Sequence, residues 1–318
     1  MALNNHQCRG KNTKFSGRDF EVKTACVIGG GGFLGSHVAD QLQTAGYTVR
    51  VFDRNPSRWL RDGQQMFVGD ILDRASLDSA LIGCEVVYHF AALADLNEAL
   101  DKPVQTAQVN VLGAVNVLEA ARQAGVRRFL YASTVYVYSR EGGFYRVSKQ
   151  AAENYVEEYQ RAFGLDFTIL RYGSLYGPRA DATNGLYIIV RRALEQGKIS
   201  YAGDSESVRE YIHVEDAARA SVVALSDEFR NESVVLTGHQ PMRMLDLLKM
   251  LAEIMGVADG VDFRDEKYAG HYVRTPYAYL PKPGRRYSPA LHVDFGQGLL
   301  QLIDDVRNES LRTGGAGR

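Results

Sequence analysis

Thr24-Ala-Cys26-Val-Ile28-Gly29-Gly30-Gly31-Gly32-Phe33-Leu34-Gly35-Ser-His37 decides the fold. A short β-rich run, Thr24–Ile28, leads into glycines spaced as GxxGxxG at Gly29, Gly32 and Gly35. Leu34, Val38, Leu42 and Ala45 then recur at helical spacing, so the glycines link a strand to a helix. Glycine permits the tight turn and lets the backbone approach a pyrophosphate. The helix start offers free N–H groups and the positive end of its dipole. Asp53 closes the next β-rich run, Thr48–Asp53, about twenty residues on. A carboxylate there accepts from ribose hydroxyls and repels a 2′-phosphate, which favours NAD over NADP. Arg54 beside it is the kind of residue that holds such a phosphate.

Outward from this loop the chain alternates. Strands are expected at Met66–Gly69, Glu85–Phe90, Arg128–Ser133 and Asp166–Arg171, and long helices at Val104–Ala124 and Tyr145–Phe163. The expectation is a Rossmann-type doubly wound parallel sheet over 21–172, with a smaller, irregular α/β substrate lobe over 173–318. Segments near 210–240 are expected to return to the sheet. In the second half, helices are read at Leu186–Gln196, Val214–Leu225 and Met244–Met255, and a strand at Val234–Thr237. Tyr268–Pro289, rich in Tyr, Pro, Arg and Gly, reads as loops. The polar residues 1–20 read as a flexible extension without the apolar core of a signal peptide.

The 104–124 helix carries two apolar faces, one of Val104, Ala107, Val111, Val115 and Leu118, the other of Val109, Leu112, Val117 and Ala120. A helix apolar on two sides needs a second partner, and the expectation is a homodimer through the 104–124 and 150–163 helices.

Composition sets the class. Of 318 residues, 45% are hydrophobic and 24% charged, with a formal net charge of −1. That balance suits an ordinary globular enzyme and argues against a nucleic-acid or membrane-surface partner. No apolar run reaches membrane-spanning length. The three cysteines, Cys8, Cys26 and Cys84, show no CxxC spacing, which implies a reduced, cytoplasmic setting. The seven histidines include no HxxxH pair, and no metal is expected.

Tyr145-Arg-Val-Ser-Lys149 is a YxxxK sequence on the helix after the fifth strand. Four residues advance a helix by about 6 Å and bring both side chains to one face. Free tyrosine titrates near about 10, and a neighbouring ammonium favours its phenolate. The pair therefore suits acid–base work on a hydroxyl–carbonyl interconversion. In isolation YxxxK is as consistent with a solvated helix face; its setting in a GxxGxxG sheet gives it weight.

These pieces, with Gly69-Asp70-Ile71, His89-Phe-Ala91-Ala92, the run from Asn110, Tyr131-Ala-Ser133-Thr134, Leu170-Arg-Tyr172-Gly-Ser174-Leu-Tyr-Gly-Pro-Arg179 and Val208-Arg209-Glu-Tyr-Ile-His213-Val-Glu-Asp216, resemble extended short-chain dehydrogenases/reductases of the nucleotide-sugar epimerase/dehydratase type. The resemblance implies NAD held by Gly29, Gly32, Phe33, Leu34, Gly35, Asp53, Arg54, Asp70, Ile71, Ala91, Ala92, Asn110, Tyr145, Lys149 and Tyr172. It implies catalysis by Thr134, Tyr145 and Lys149. It implies a nucleotide-diphosphate sugar bound by Ser133, Thr134, Ser174, Asn184 and Arg209, whose guanidinium fork matches phosphate. His213 reads as a packed histidine. By the same resemblance the pathway is polysaccharide synthesis.

The reaction is read from two positions. Family dehydratases place Asp–Glu directly after the threonine, and family decarboxylases place a Glu two residues before the tyrosine at position 138. This chain has Val135 and Tyr136 there. Neither supplies a carboxylate, which points to a 4-epimerase. The alternatives are a 4-ketoreductase or dehydrogenase with net redox turnover, and a non-catalytic dinucleotide sensor. Two departures from the family touch the substrate end. Gly173-Ser174 replaces the usual Phe-Asn, and only ten residues separate Thr134 from Tyr145.

Overall fold

The computed structural model describes residues 23–257, 261–264, 271, 274–276, 285–287 and 292–314. The expected extension at 1–20 lies outside them.

The elements run β1 (Thr24–Ile28), α1 (Phe33–Thr44), β2 (Thr48–Asp53), β3 (Gln65–Val68), α2 (Arg74–Leu81), β4 (Val86–His89), α3 (Leu96–Asp101), α4 (Pro103–Ala107), a π turn (Gln108–Leu112), α5 (Gly113–Gln123), β5 (Arg128–Thr134), a 3-10 turn (Val135–Tyr138), α6 (Gly143–Phe163) and β6 (Asp166–Tyr172). They continue with β7 (Ser174–Tyr176), α7 (Gly185–Gln196), β8 (Ile199–Ala202), β9 (Val208–His213), α8 (Val214–Val223), β10 (Glu232–Leu236), β11 (Pro241–Arg243), α9 (Met244–Met255), β12 (Val261–Arg264), β13 (Arg285–Tyr287) and α10 (Phe295–Gly314).

Eight strands form one parallel sheet in the order β13-β10-β6-β5-β4-β1-β2-β3. Such strands are buried on both faces and read as continuous apolar runs; all seven residues of β5 are buried. One face packs on α2, α5 and α6 through Leu77, Leu81, Val117, Leu118 and Val156. The other packs on α1 and α8 through Val38, Leu42, Ala217 and Ala220. The order reverses between β1 and β4, and ligands of such sheets bind in the crevice beyond the strand ends at that point.

The smaller lobe has its own core of Leu186, Val190, Leu247, Leu251, Leu299 and Leu302 on α7, α9 and α10. Two small sheets, β11-β9-β7 and β12-β8, edge it. Thus the Val208–Leu236 stretch divides: β9 joins a small sheet and β10 the large one.

Among the differences from the sequence expectation, three concern long segments. The single helix at 104–124 is α4, a π turn and α5. The extra residue of the π turn changes the helix phase. Val104 and Leu112 are exposed, while Ala114, Val117, Leu118 and Ala121 face the core. π turns recur at functional sites; this one points Asn110 inward. Within the stretch read as loops, Arg285–Tyr287 is a strand added to the sheet edge beside β10, and Arg274 bridges Val208. The rest of that stretch lies largely outside the described residues. α10 was not anticipated, although Leu299, Leu302, Ile303 and Val306 carry the helical period.

Candidate active site

The glycine loop sits at the topological switch. Gly29 has φ +80°, and a Cβ there would lie 2.5 Å from the Ala91 nitrogen on the loop after β4. A Cβ on Gly35 would lie 2.3 Å from the Gly29 carbonyl oxygen, so this glycine lets α1 pack on the turn. Gly32 caps α1 without a side-chain bond, and no acidic residue occupies the first turn. The N–H groups of Phe33, Leu34 and Gly35 therefore start a helix with free donors, which could hold an anionic pyrophosphate. Asp53 Oδ2 accepts from the Gly31 N–H at 3.1 Å, which holds the carboxylate beside the loop. Arg54 and Asp70 line an adjoining groove of about 540 Å³ with Lys102 and Gln105. The site fits a dinucleotide.

The other expected cofactor contacts divide. Ala91 and Ala92 lie at the end of β4, half-buried. Asn110 ties that segment to α6: its Oδ1 accepts from the Leu93 N–H, and its Nδ2 donates to the Leu93 carbonyl and to Ser148 Oγ. Ile71 is turned into the core, its side chain against the space that a Cβ on Gly113 would fill. Tyr172 is buried too, its hydroxyl 2.6 Å from Ser221 Oγ on α8, so its ring serves packing.

Thr134 ends β5, and its Oγ1 accepts from the Tyr136 N–H. Tyr145 and Lys149 lie one turn apart on α6, with Lys149 Nζ 5.9 Å from the Tyr145 ring centre and 4.8 Å from that of Tyr131. Nζ donates to the Ala132 carbonyl at 2.7 Å. Burial pushes Tyr145 up to about 12. Burial likewise brings Lys149 down to about 7, against the opposing charge of Glu153. For Tyr145, desolvation thus outweighs the lowering expected from the neighbouring ammonium.

The expected substrate residues are more dispersed. Ser133 Oγ donates inward to Glu153 Oε1 at 2.5 Å, so its proton is committed away from a ligand. Asn184 caps α7, accepting from the Tyr187 N–H and donating to the Leu175 carbonyl. Ser174 starts β7, half-buried, opposite Tyr211. Arg209 lies on β9 near His271, whose pKa is brought down to about 4 by burial first and by the Arg209 charge second. His213 is buried, edge-on to Tyr176, with its pKa brought down to about 4 chiefly by burial. It is packed, as read. The Gly173 departure has a local cause: a Cβ there would meet Thr237 Cγ2 at 2.9 Å and the Glu210 carbonyl at 3.0 Å.

The short connection from Thr134 closes through Gly142 (φ +94°) and Gly143 (φ +49°). A Cβ on Gly142 would strike the Tyr136 ring at 2.7 Å. The Tyr136 hydroxyl reaches His271 Nδ1 at 2.8 Å, joining the two lobes. Sequence reasoning missed this contact, because nothing local links positions so far apart. It also missed Glu153 and Arg171, although Glu153 follows Lys149 by one helical turn, a legible signal. Among the described residues, no cluster of three metal-ligating side chains occurs and no helix is long and apolar enough to cross a membrane.

A parallel sheet with a glycine turn at its switch point, and a buried Tyr/Lys pair on the helix after β5, is the arrangement of an enzyme built around a dinucleotide. The chain belongs to the NAD dependent epimerase/dehydratase family, whose profile matches residues 25–236. It is similar to the UDP-glucose 4-epimerase of Thermotoga maritima, solved with UDP-glucose, at 26% identity and a TM-score of 0.79, covering 90% of this chain and 99% of that one. It is 30% identical over 241 residues to the UDP-glucose 4-epimerase of Rhizobium leguminosarum bv. trifolii, covering 64% of this chain and 72% of that protein. A UDP-N-acetyl-alpha-D-glucosaminuronate decarboxylase of Bacillus cytotoxicus is 28% identical over 243 residues, 67% of this chain and 74% of that protein. Relatives thus share the architecture across different reactions.

Proposed function

We propose that the chain is an NAD-dependent nucleotide-sugar 4-epimerase. The carrying observation is the pair of residues after Thr134. Val135 is buried and Tyr136 is bonded to His271, so neither position offers the carboxylate that elimination of water or loss of a carboxyl group needs. Thr134, Tyr145 and Lys149 suffice for removing and returning a proton at the sugar 4-hydroxyl. Bound NAD would supply the hydride acceptor and donor at C4. Thr134 Oγ1 orients the 4-oxygen, Tyr145 Oη takes its proton and later returns it, and Lys149 supplies positive charge beside the phenol. Arg209 and Ser174 are assigned to the nucleotide diphosphate and sugar.

We also assign the homodimer to the α4–α6 face, where Val104, Leu112, Tyr155 and Phe163 are exposed. The cytoplasm suits two free, buried cysteines, Cys26 and Cys84.

The test is product analysis on UDP-, GDP-, CDP- and dTDP-sugars without added cofactor. Purified enzyme should carry NAD and interconvert C4 epimers, and Tyr145→Phe should abolish turnover while NAD stays bound. A stoichiometric requirement for NAD(P)H would overturn the epimerase in favour of a net reductase. Full activity in Tyr145→Phe would remove the catalytic assignment.

A further inference from the structure

A closed set of charges lies beneath the site and has no part in the scheme above. Glu153 and Arg171 are both fully buried. The guanidinium grips the carboxylate with two bonds, Nε to Oε1 at 3.0 Å and Nη2 to Oε2 at 2.8 Å. Its third donor, Nη1, goes to the Tyr138 hydroxyl at 2.6 Å. Arg171 stands directly opposite Ser133 in the β5–β6 ladder, and Ser133 donates to the same carboxylate.

The last three residues of β5 are consequently each held by a different neighbour. Lys149 takes the Ala132 carbonyl, Glu153 takes the Ser133 hydroxyl, and the Tyr136 N–H takes Thr134 Oγ1. Two of the three holds come from one face of α6, one turn apart. A buried ion pair is a poor source of stability compared with apolar packing, so its presence asks for another role. Position supplies one: the carboxylate sits a single helical turn behind a buried ammonium.

We propose that Glu153, clamped by Arg171, is a positioning residue for the reaction: it fixes the end of β5 that presents Thr134, and its charge keeps the proton on Lys149. The inference rests on the Thr134–Tyr145–Lys149 reading of the site. The groups facing Lys149 are the rings of Tyr131 and Tyr145, the Ala132 carbonyl, Glu153 and His89, whose pKa is lowered by burial first and by the lysine's charge second. Those facing Glu153 are Arg171, Ser133, Tyr138, Tyr131 and Lys149. Glu153 is therefore the one anion among the groups facing this lysine. Without it, desolvation is left unopposed and pushes the ammonium toward the neutral amine.

The direct test needs no substrate. Protein grown on lysine isotopically labelled at Cε is titrated by NMR, with the Lys149 resonance assigned by its loss in Lys149→Arg. The wild-type midpoint is expected at about 7. Glu153→Gln should lower it by about one pH unit. If that variant does not fold because Arg171 is left unpaired, Glu153→Gln/Arg171→Gln replaces the ion pair with two amides. The midpoint should fall there too, since Glu153 and not Arg171 is the charge that Lys149 registers. Ser133→Ala keeps both charges and should leave the midpoint in place. A midpoint that stays within roughly a third of a unit in the glutamine variants overturns the proposal. So does an active Glu153→Gln enzyme whose loss of kcat toward high pH is unmoved. The titration can fail while the 4-epimerase reading stands, and the sugar panel can fail while the titration succeeds.

Discussion

Gly35→Ala sets two effects of opposite sign against each other. Gly35 is a helical residue of α1, and helix propensity alone favours alanine over glycine by about 1 kcal/mol. Packing opposes it. The added Cβ would stand 2.3 Å from the Gly29 oxygen, 3.0 Å from the Gly29 carbonyl carbon and 3.0 Å from the Gly30 Cα. All three are backbone atoms, so no side chain can rotate away. Relief requires moving α1 off β1 by on the order of 1 Å, and overpacking of this kind costs about 1–3 kcal/mol, more where backbone must shift. Packing wins, giving a net loss of up to about 2 kcal/mol, or several degrees in Tm for a chain of this size. The same shift drags the cradle N–H groups away from a pyrophosphate, so NAD affinity should fall about tenfold or more, since about 1.4 kcal/mol is a factor of ten. Gly32→Ala is the control: its Cβ would meet one atom, the Gly29 oxygen, at 3.3 Å. The assay is a thermal melt without cofactor and calorimetric titration with NAD. If Gly35→Ala melts at or above the wild type and binds NAD within about twofold, the packing argument is wrong and propensity decides.

Lys149→Met should raise stability below neutral pH. The folded pKa of about 7 lies under the ordinary lysine value of 10.5, so the lysine's contribution is full above pH 10.5 and lost as pH falls through 7. At pH 6 the buried ammonium costs roughly 2–5 kcal/mol, and melts at pH 6 and pH 10 should show the variant's advantage only at the lower pH. Asp53→Asn keeps an acceptor for the Gly31 N–H but removes the charge that repels a 2′-phosphate. The ratio of NADP to NAD affinity should rise about tenfold, read by titration with each cofactor. Leu112→Asp, on an exposed apolar position, should convert a dimer to monomers in sedimentation without altering the melt of the monomer by more than about 0.5 kcal/mol.

The sheet and its cofactor end were legible because their signals are local. Gly29, Gly32 and Gly35 sit within seven residues, and strand–helix alternation is a property of neighbouring residues. The 21-residue α6 announces Tyr145 and Lys149 by helical spacing alone. Glycine spacing, however, does not say which glycine is indispensable. Only the packed turn separates Gly29 and Gly35, whose Cβ would press into several backbone atoms, from Gly32, whose Cβ would meet a single one at 3.3 Å. The π turn at Gln108–Leu112 was hidden because a phase slip of one residue is paid for by tertiary bonds from Asn110 to Leu93 and Ser148, not by propensity. Ser133 and Thr134 look interchangeable in the chain. Strand alternation in the folded sheet sends one hydroxyl down to Glu153 and leaves the other at the strand end. The sequence by itself determined the Rossmann framework, the dinucleotide cradle and the Tyr145/Lys149 pair, because periodicity and turn chemistry act over a few residues. Only the tertiary structure decided which glycines must be glycine, which hydroxyl turns inward to Glu153, that burial outweighs the lysine at Tyr145, and that Tyr136 meets His271 across the lobes. Desolvation and contact between distant segments exist only once the chain is packed.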